Sequence, residues 1–326
     1  MKTDKIQCKT KYSSPIHKLE NFCENGNEIY IKREDLLPGY FGGNKARIAS
    51  AFVNDAISKG CNCVLAYGSA SSNMCRVITM LCKKENLHCA VLSSVDDGEE
   101  YTHTINSRIT EATGFPFYTC KKSEVAKSLE KIINDLTSAG RKVYYIYDKQ
   151  NIPAGISAYR EAFKEISSVG IDFDYIFHAS GTGITQAGLI CGKTLAESTS
   201  PCKNSEIVGI SVSRDAEKET EILKDYINDY LTASGHCGKA ADAASHIRFT
   251  DLYRLGGYGK YDRNLLDRLA TLLYKEGIGL DPVYSGKAFF GMIDYIKDNN
   301  ISGKKILFIN TGSAPLFFDK LPEINS

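Results

Sequence analysis

The stretch from Gly42 to Lys45 (Gly-Gly-Asn-Lys) has the clearest potential for chemistry. The two glycines allow backbone conformations that other residues avoid and let a planar ligand approach closely. The pattern from Asn44 to Phe52 predicts a helix that would hold the Lys45 stem in place. A partly desolvated lysine loses its proton more readily and can then condense with a carbonyl group. From these residues alone, an ordinary solvated surface lysine is the other interpretation.

A glycine-rich turn far downstream favours the chemical interpretation. Ser180 to Gly188 follows a predicted strand and opens a predicted helix. Backbone N–H groups point inward in such a turn, and the helix start adds partial positive charge, so the segment predicts an anion site. Its glycine spacing fits neither a dinucleotide fingerprint nor a P-loop. A tight turn without a ligand is the alternative.

Polar groups follow the ends of other predicted strands. Because the carboxyl ends of parallel strands share one edge of a sheet, we expect these groups to converge there. Ser72 and Asn73 are suited to hold a carboxylate, although either is also suited to cap a helix. Tyr284 is expected at another such edge and Tyr258 in a flexible glycine-rich loop, with half-buried packing as the alternative for each. The segments at the edge are 71–73, 281–287 and 310–313, and the loop is 256–259.

Apolar strands alternate with helices along the chain, which predicts an α/β fold with parallel sheets covered on both faces. The small, polar segment 232–244 predicts a loop. The predicted strands are 28–32, 63–68, 88–94, 142–147, 175–179, 207–213 and 305–310. The predicted helices begin at Asn44 and cover 72–85, 101–113, 123–139, 155–167, 183–193, 215–231, 263–276 and 285–298.

Composition and charge indicate which binding partners and which cellular compartment to expect. The chain has 326 residues, 43% hydrophobic and 24% charged, with a net charge of +1. This balance gives no electrostatic reason to expect nucleic acid or a membrane as a partner. Met1–Ile6 lacks an apolar signal core, so we expect a cytoplasmic protein whose 11 cysteines are reduced thiols. A metal site at Cys61 and Cys63 is disfavoured, because no second ligand pair has zinc spacing.

Taken in order, several segments resemble the D-cysteine desulfhydrase / 1-aminocyclopropane-1-carboxylate deaminase family. The likeness runs from residue 31 to residue 312 and covers nearly the whole chain. No single motif is decisive, whereas the ordered set is specific. The matching segments are Ile31–Leu36, Gly42–Arg47, Ser72–Arg76, Gly181–Gly188, Asp281–Lys287 and Thr311–Gly312.

The resemblance implies a pyridoxal-phosphate enzyme with the tryptophan synthase β-like α/β fold (fold type II). It implies a larger cofactor-binding domain, residues 1–47 and 161–326, and a smaller inserted domain, residues 48–160. The cofactor would lie between the two domains. The resemblance also implies a small amino acid as substrate and a homodimer as the assembly.

The resemblance assigns roles to single residues. Lys45 would form the Schiff base with the cofactor and act as acid and base at the substrate α-carbon. Ser72 would lie near the substrate carboxylate, Asn73 would contact the cofactor's phenolic oxygen, and Tyr258 and Tyr284 would be the active-site tyrosines. The other residues expected at the cofactor are Ser180, Gly181, Thr182, Gly183, Ile184 and Thr185 in the phosphate loop, Ser285 facing the pyridine nitrogen, and Asn310 and Thr311.

Ser285 distinguishes between reactions within the family. The deaminases that open a cyclopropane ring share a glutamate here, which keeps the pyridine nitrogen protonated, whereas a serine hydroxyl bonds a neutral nitrogen. We therefore expect a lyase that removes an α-proton and eliminates a β-substituent, giving a 2-oxo acid and ammonia. The alternatives are β-replacement, aminocyclopropane-carboxylate deamination and non-catalytic binding of the cofactor. A nucleotide-binding α/β protein without pyridoxal phosphate is a further alternative.

Four segments depart from the family pattern, and one of them, Pro153–Gly155, continues at once into a predicted helix and is shorter than the usual glycine-rich segment. Ile48 stands where a second lysine usually reaches toward the phosphate, and Ser71 replaces a usual glutamine. Asn310 and Ser313 replace the histidine and the last glycine of a usual His-Thr-Gly-Gly segment. Most of these changes fall on the substrate side, so they affect the expected substrate more than the expected cofactor.

Overall fold

The computed structural model describes residues 13–324, so Met1–Ile6 lies outside the described residues. Within this range, strands and helices alternate. The strands are β1 (Ile16–Lys18), β2 (Glu28–Arg33), β3 (Cys63–Ser69), β4 (His88–Val95), β5 (Phe117–Lys121), β6 (Val143–Tyr145), β7 (Tyr175–Ser180), β8 (Glu206–Ser211), β9 (Arg248–Thr250) and β10 (Lys305–Asn310). The helices are α1 (Asn44–Ser58), α2 (Asn73–Lys84), α3 (Ile105–Ala112), α4 (Val125–Ser138), α5 (Ile152–Ser167), α6 (Ile184–Leu195), α7 (Ala216–Ala233), α8 (Ala240–Ser245), α9 (Arg263–Glu276), α10 (Ser285–Asp298) and α11 (Ala314–Ile324).

Six strands form the larger sheet, in the order β1-β2-β10-β7-β8-β9. Its pairings are parallel except at the β1 edge, where β1 runs antiparallel to β2. This edge departs from the predicted parallel pairing because residues 19–27, which join the two strands, are too few for a crossover connection. The central strands β7 and β10 are buried nearly throughout, as a sheet covered on both faces requires.

Four strands form the smaller sheet, in the order β5-β4-β3-β6, and all of its pairings are parallel. These strands lie between residues 63 and 145, inside the predicted smaller domain. The boundaries predicted at 47/48 and 160/161 stay predictions. Helix α1 spans the first of these boundaries and α5 spans the second, and α1 packs against both α2 and α5.

Helices α5 and α6 approach each other closely through two glycines of α6. A Cβ atom at Gly188 would lie 2.5 Å from the Cβ of Tyr159, and one at Gly192 would lie 2.5 Å from the Cβ of Phe163. Only glycine permits this separation without displacing α5. The contact fixes the position of α6, whose first residue follows the glycine-rich turn.

The predicted loop over residues 232–244 is wrong in part. Helix α7 extends to Ala233 and α8 begins at Ala240. The short helix forms because Ala243 is fully buried in the same apolar core as Ile227 and Leu231 of α7. Among residues 13–324, no helix is both long enough and apolar enough to cross a bilayer.

Candidate active site

A cleft of about 410 Å³ lies where strand ends from both sheets meet. Ser69 at the end of β3 and Ser94 near the end of β4 line it from the smaller sheet. Gly181 after β7 and Thr311 after β10 line it from the larger sheet. The residues predicted from the sequence that line this cleft are Lys45, Ser72, Asn73, Gly181, Thr182, Tyr258, Tyr284 and Thr311.

Lys45 lies in the first turn of α1 and is positioned by the glycine turn before it. Gly43 has a φ of 91°, and a Cβ atom there would lie 2.9 Å from the carbonyl oxygen of Thr311. The Asn44 N–H donates to that same oxygen at 2.8 Å, which ties the start of α1 to the end of β10. Burial lowers the pKa of Lys45 to about 8. The amine has no hydrogen bond or ion pair among the described residues, so its reactivity is not blocked by a protein partner.

The glycine-rich turn leads into a helix start that has no side-chain cap, beside the cleft. Gly183 precedes the first residue of α6 with a φ of 81°, and no side chain caps this helix. By contrast, α2, α7 and α9 are each capped by a side-chain oxygen. Gly181 and Thr182 line the cleft directly before the uncapped first turn of α6. Free N–H groups and the helix dipole suit an anion such as a phosphate, so the residues present fit this group.

Ser72 and Asn73 lie at the start of α2. Ser72 caps the helix, because its hydroxyl oxygen accepts from the Cys75 N–H at 3.2 Å. The alternative role as a helix cap is therefore present, and Ser72 also lines the cleft. The Asn73 amide donates to the Ser313 hydroxyl at 3.0 Å. Its oxygen accepts from the Asn106 amide at 3.0 Å. These bonds fix the orientation of the Asn73 side chain at the cleft wall.

Tyr258 and Tyr284 form a hydrogen-bonded pair in the cleft wall, next to the segment that leads into α2. The Tyr258 hydroxyl lies 2.7 Å from Ser69 Oγ, and the Tyr284 hydroxyl donates to the Ser71 carbonyl at 3.3 Å. Burial raises the pKa of both tyrosines above the ordinary value. Both hydroxyls therefore keep their protons near neutral pH and can act as acids.

Several predicted cofactor residues do not line the cleft. The Ser285 hydroxyl donates to Asp281 Oδ2 at 2.6 Å, because the Asp281 carboxylate gathers the N–H groups at the start of α10. Asn310 is buried, and its amide nitrogen has no hydrogen-bond partner within residues 13–324. Thr185 accepts from the Asn44 amide at 3.2 Å. The predicted residues that do not line the cleft are Ser180, Gly183, Ile184, Thr185, Ser285 and Asn310.

The sequence reasoning missed part of the cleft wall. Arg214 follows the end of β8, where the rule used for the other strand ends would have found it. Tyr145 ends β6, and Tyr147 follows it. Tyr226 comes from the middle of α7, and no signal in the sequence marks it.

The charge of the cleft wall is one-sided. Lys45, Lys122 and Arg214 line it, whereas no aspartate or glutamate of the described chain does. Residues 13–324 also contain no group of three or more side chains placed to hold a metal ion. The wall is therefore suited to a ligand that carries negative charge.

Comparison with known proteins agrees with this chemistry. The profile of the family described as "pyridoxal-phosphate dependent enzyme" matches residues 9–312. A Pyrococcus horikoshii protein provisionally named 1-aminocyclopropane-1-carboxylate deaminase is 33% identical over 306 residues, covering 92% of this chain and 89% of its own. The D-cysteine desulfhydrase of Yersinia pestis (strain Pestoides F) is 28% identical over 321 residues, covering 96% and 94%.

Solved structures agree as well. The structure of a homologue of ACC (1-aminocyclopropane-1-carboxylate) deaminase superposes with a TM-score of 0.80 at 31% identity, covering 96% of this chain and 93% of that one. O-ureido-L-serine synthase, with a TM-score of 0.65 at 17% identity over 94% and 90%, shares the fold. These findings confirm the resemblance, the fold of type II and the predicted cofactor. The chain belongs to the family of pyridoxal-phosphate dependent enzymes.

Proposed function

We propose that this enzyme removes the α-proton of a small amino acid and eliminates a substituent from its β-carbon, giving a 2-oxo acid and ammonia. One observation carries the proposal. The cleft holds a lysine amine with a lowered pKa and a protonated tyrosine pair, and no carboxylate of the described chain lines it. This set offers a base, an acid and an anion-binding wall. The names of the similar proteins, a D-cysteine desulfhydrase and ACC deaminases, support a small amino acid as the substrate.

The residues that would hold the cofactor follow from the geometry. Lys45 would carry it covalently, and the uncapped turn at Gly181 and Thr182 would bind its phosphate. Asn73 would hold its phenolic oxygen from the start of α2. Pyridoxal phosphate, when bound, supplies an electron sink for the negative charge that develops on the substrate α-carbon.

The chain's own groups then divide the proton transfers. N–H groups at the start of α2 and the Ser72 hydroxyl would hold the substrate carboxylate. The neutral amine of Lys45 would take the α-proton at Nζ. Tyr258 or Tyr284 would donate its hydroxyl proton to the leaving β-substituent, and Ser69 orients this pair. Loss of the substituent leaves an enamine, and water converts it to the 2-oxo acid and ammonia.

The choice of elimination over ring opening rests on the missing carboxylate. A carboxylate at the pyridine nitrogen would keep that nitrogen protonated and strengthen the electron sink. Asp281 is buried behind the Ser285 hydroxyl and is occupied by the N–H groups of α10. A weaker sink suits a reaction in which a good β-leaving group departs early.

A panel of substrates tests this proposal. We expect D- or L-amino acids with a β-substituent, cysteine among them, to yield pyruvate and ammonia, with sulfide from cysteine. We expect no 2-oxobutanoate from 1-aminocyclopropane-1-carboxylate. Efficient release of 2-oxobutanoate would overturn the choice of elimination, and a β-substituted product formed only with an added nucleophile would favour replacement.

Variants test the named residues. Lys45→Ala should lose the covalent attachment of the cofactor, seen as loss of borohydride-reducible colour. Tyr284→Phe should keep the colour and lower kcat about 100-fold or more, the usual range for losing a general acid. Tyr118→Phe, an exposed tyrosine on β5, is the matched control and should leave kcat unchanged. The predicted homodimer is checked separately by sedimentation of the same preparations.

A further inference from the structure

Among the described residues, three cationic side chains line the cleft: Lys45, Lys122 and Arg214. Lys45 would be bound covalently to the cofactor's aldehyde carbon and so would not contact the phosphate. Helix α1 supplies no second cation to the cleft, because Arg47 pairs with Glu34 and Ile48 is apolar and fully buried. Any side-chain cation at the phosphate loop must therefore come from another element.

Arg214 lies beside that loop and is held there by Glu219. Its Nη1 donates to Glu219 Oε2 at 2.7 Å. The other carboxylate oxygen, Oε1, accepts from Ser180 Oγ at 3.5 Å and lies 3.0 Å from the position of a Cβ atom at Gly183. The Arg214–Glu219 pair thus adjoins both ends of the turn from Ser180 to Gly183.

The negative charge of Glu219 requires a compensating cation such as Arg214 beside it. Its carboxylate is fully buried next to a site suited to an anion. A phosphate group bound there would be repelled by an uncompensated carboxylate, and Arg214 supplies the compensating charge. The Nε and Nη2 groups of Arg214 have no partner among the described residues, and 31% of its side chain is exposed. The guanidinium therefore keeps donors for an oxyanion while it remains paired with Glu219.

Lys122 is the less suitable cation. It forms an ion pair with Asp96, and both side chains are 54% exposed. It also follows β5 in the smaller sheet, whereas the phosphate loop follows β7 in the larger sheet. This difference in place makes Lys122 a matched control for the removal of a cleft cation.

We propose that Arg214, oriented by Glu219, binds and neutralises the phosphate group of the cofactor. The proposal rests on the placement of the cofactor beside Lys45 proposed above. Arg214 is thereby a cofactor-binding residue, and Glu219 is a positioning residue that acts through it. The phosphate would then be held by backbone N–H groups on one side and a guanidinium on the other.

The test compares pyridoxal phosphate with pyridoxal, which lacks the phosphate. The apoproteins of the wild type, Arg214→Gln, Arg214→Lys and Lys122→Gln are titrated with each compound, and binding is followed by absorbance. Loss of one charge-assisted contact should weaken binding of pyridoxal phosphate to Arg214→Gln about 10- to 100-fold. Binding of pyridoxal should change less than about twofold, which also shows that the variant is folded. Arg214→Lys should recover part of the loss, and Lys122→Gln should keep the ratio of the two affinities near its wild-type value.

The outcomes separate the two proposals. If Arg214→Gln keeps the wild-type ratio of the two affinities, or if Lys122→Gln shows the loss instead, the role of Arg214 is overturned. Borohydride reduction followed by peptide mass analysis locates the attachment site in each protein. Attachment in the wild type to a lysine other than Lys45 would overturn the placement of the cofactor, whatever the ratio of affinities in the Arg214 variants.

Discussion

At the scale of single residues, the role proposed for Lys45 depends on the protonation state of its amine. An exposed lysine has a pKa near 10.5 and is almost wholly protonated at neutral pH, whereas burial lowers the pKa of Lys45 to about 8. Only the neutral amine attacks a carbonyl group. At pH 7 about one molecule in ten would then carry a neutral amine, against about one in 3,000 for an exposed lysine.

This lowered pKa predicts the pH dependence of cofactor attachment. In apoprotein mixed with pyridoxal phosphate, the attachment rate should rise about tenfold per pH unit below pH 8 and level off above it. Stopped-flow absorbance at several pH values measures the rate. Nα-acetyl-lysine, whose side-chain amine is free and exposed, is the reference compound. A midpoint close to that of the reference compound, above pH 10, would contradict the burial of Lys45.

Ser313 shows how a departure from the family pattern acts at the site. It has a φ of 136°, in a region that favours glycine, and its side chain is buried. Its hydroxyl accepts from the Asn73 amide at 3.0 Å, so the serine orients the residue predicted to contact the cofactor. Backbone strain of this kind persists at functional sites when the surroundings hold it in place.

At the scale of elements, the sequence predicts best where one pattern dominates. The helices α9 and α10 and the strand β10 have the predicted bounds, because apolar periodicity and their end signals agree. β5 and β9 were missed, since each has only a few residues and is not apolar throughout. Their strand state depends on pairing with β4 and β8, and a single sequence does not show that pairing.

The residues of the candidate site also divide into those that a local sequence signal marks and those that depend on tertiary packing. Local signals at strand ends and helix starts predict residues that do line the cleft, as Lys45, Asn73 and Thr182 illustrate. Tyr226 was missed because it enters the cleft only through the packing of α7 beside the glycine-rich turn. The hydroxyl of Ser285 points to Asp281 because the charge of that carboxylate competes for it, and spacing along the chain does not show this competition.

The close packing of α5 and α6 predicts the effect of one methyl group. In Gly188→Ala the new Cβ would lie 2.5 Å from Tyr159 Cβ and 2.6 Å from the Ile156 carbonyl oxygen, so α6 must move. We expect a loss of about 1–3 kcal/mol in the free energy of unfolding, the usual cost of overpacking. Urea unfolding measures this loss.

A second readout connects this helix contact to the site. Because α6 starts at the turn proposed to bind the phosphate, Gly188→Ala should also weaken binding of pyridoxal phosphate. Gly238→Ala is the control, since Gly238 has nothing within 4 Å of its Cβ position and no positive φ. Equal urea midpoints for the two variants would show that the α5–α6 contact tolerates a side chain.

At the scale of the whole molecule, a buried group of four charges ties the start of the fold to α1 and α5. Arg47 of α1 donates to Glu34 at 2.6 Å and to Glu165 of α5 at 2.7 Å. Lys32 of β2 pairs with Glu165 at 2.6 Å and approaches Glu34 at 3.5 Å. The two cations and two carboxylates balance, which allows full burial of Lys32 and Glu34. The group therefore couples α1, which carries Lys45, to the larger sheet.

Removal of one charge from this group should destabilise the whole protein. Glu34→Gln keeps the shape of the side chain and leaves the two cations facing one carboxylate. We expect a loss of about 3–5 kcal/mol in the free energy of unfolding at pH 7, as found when one partner of a buried ion pair is removed. Glu28→Gln breaks an exposed pair with Lys18 and should leave the unfolding midpoint unchanged.

The pH dependence of this difference identifies its origin. Burial alone would raise the pKa of Glu34, but Arg47, Lys32 and the Ser14 hydroxyl together outweigh it and hold that pKa below the ordinary value of 4.5. A carboxylate with a lowered pKa stabilises the fold fully above pH 4.5, and this stabilisation is lost as the pH falls through the lower, folded-state pKa. The wild type and Glu34→Gln should therefore differ most near neutral pH and converge in acid, because protonated Glu34 resembles glutamine. A difference that stays constant from pH 7 to pH 3 would mean that Glu34 stabilises the fold through its shape and hydrogen bonds, and not through its charge.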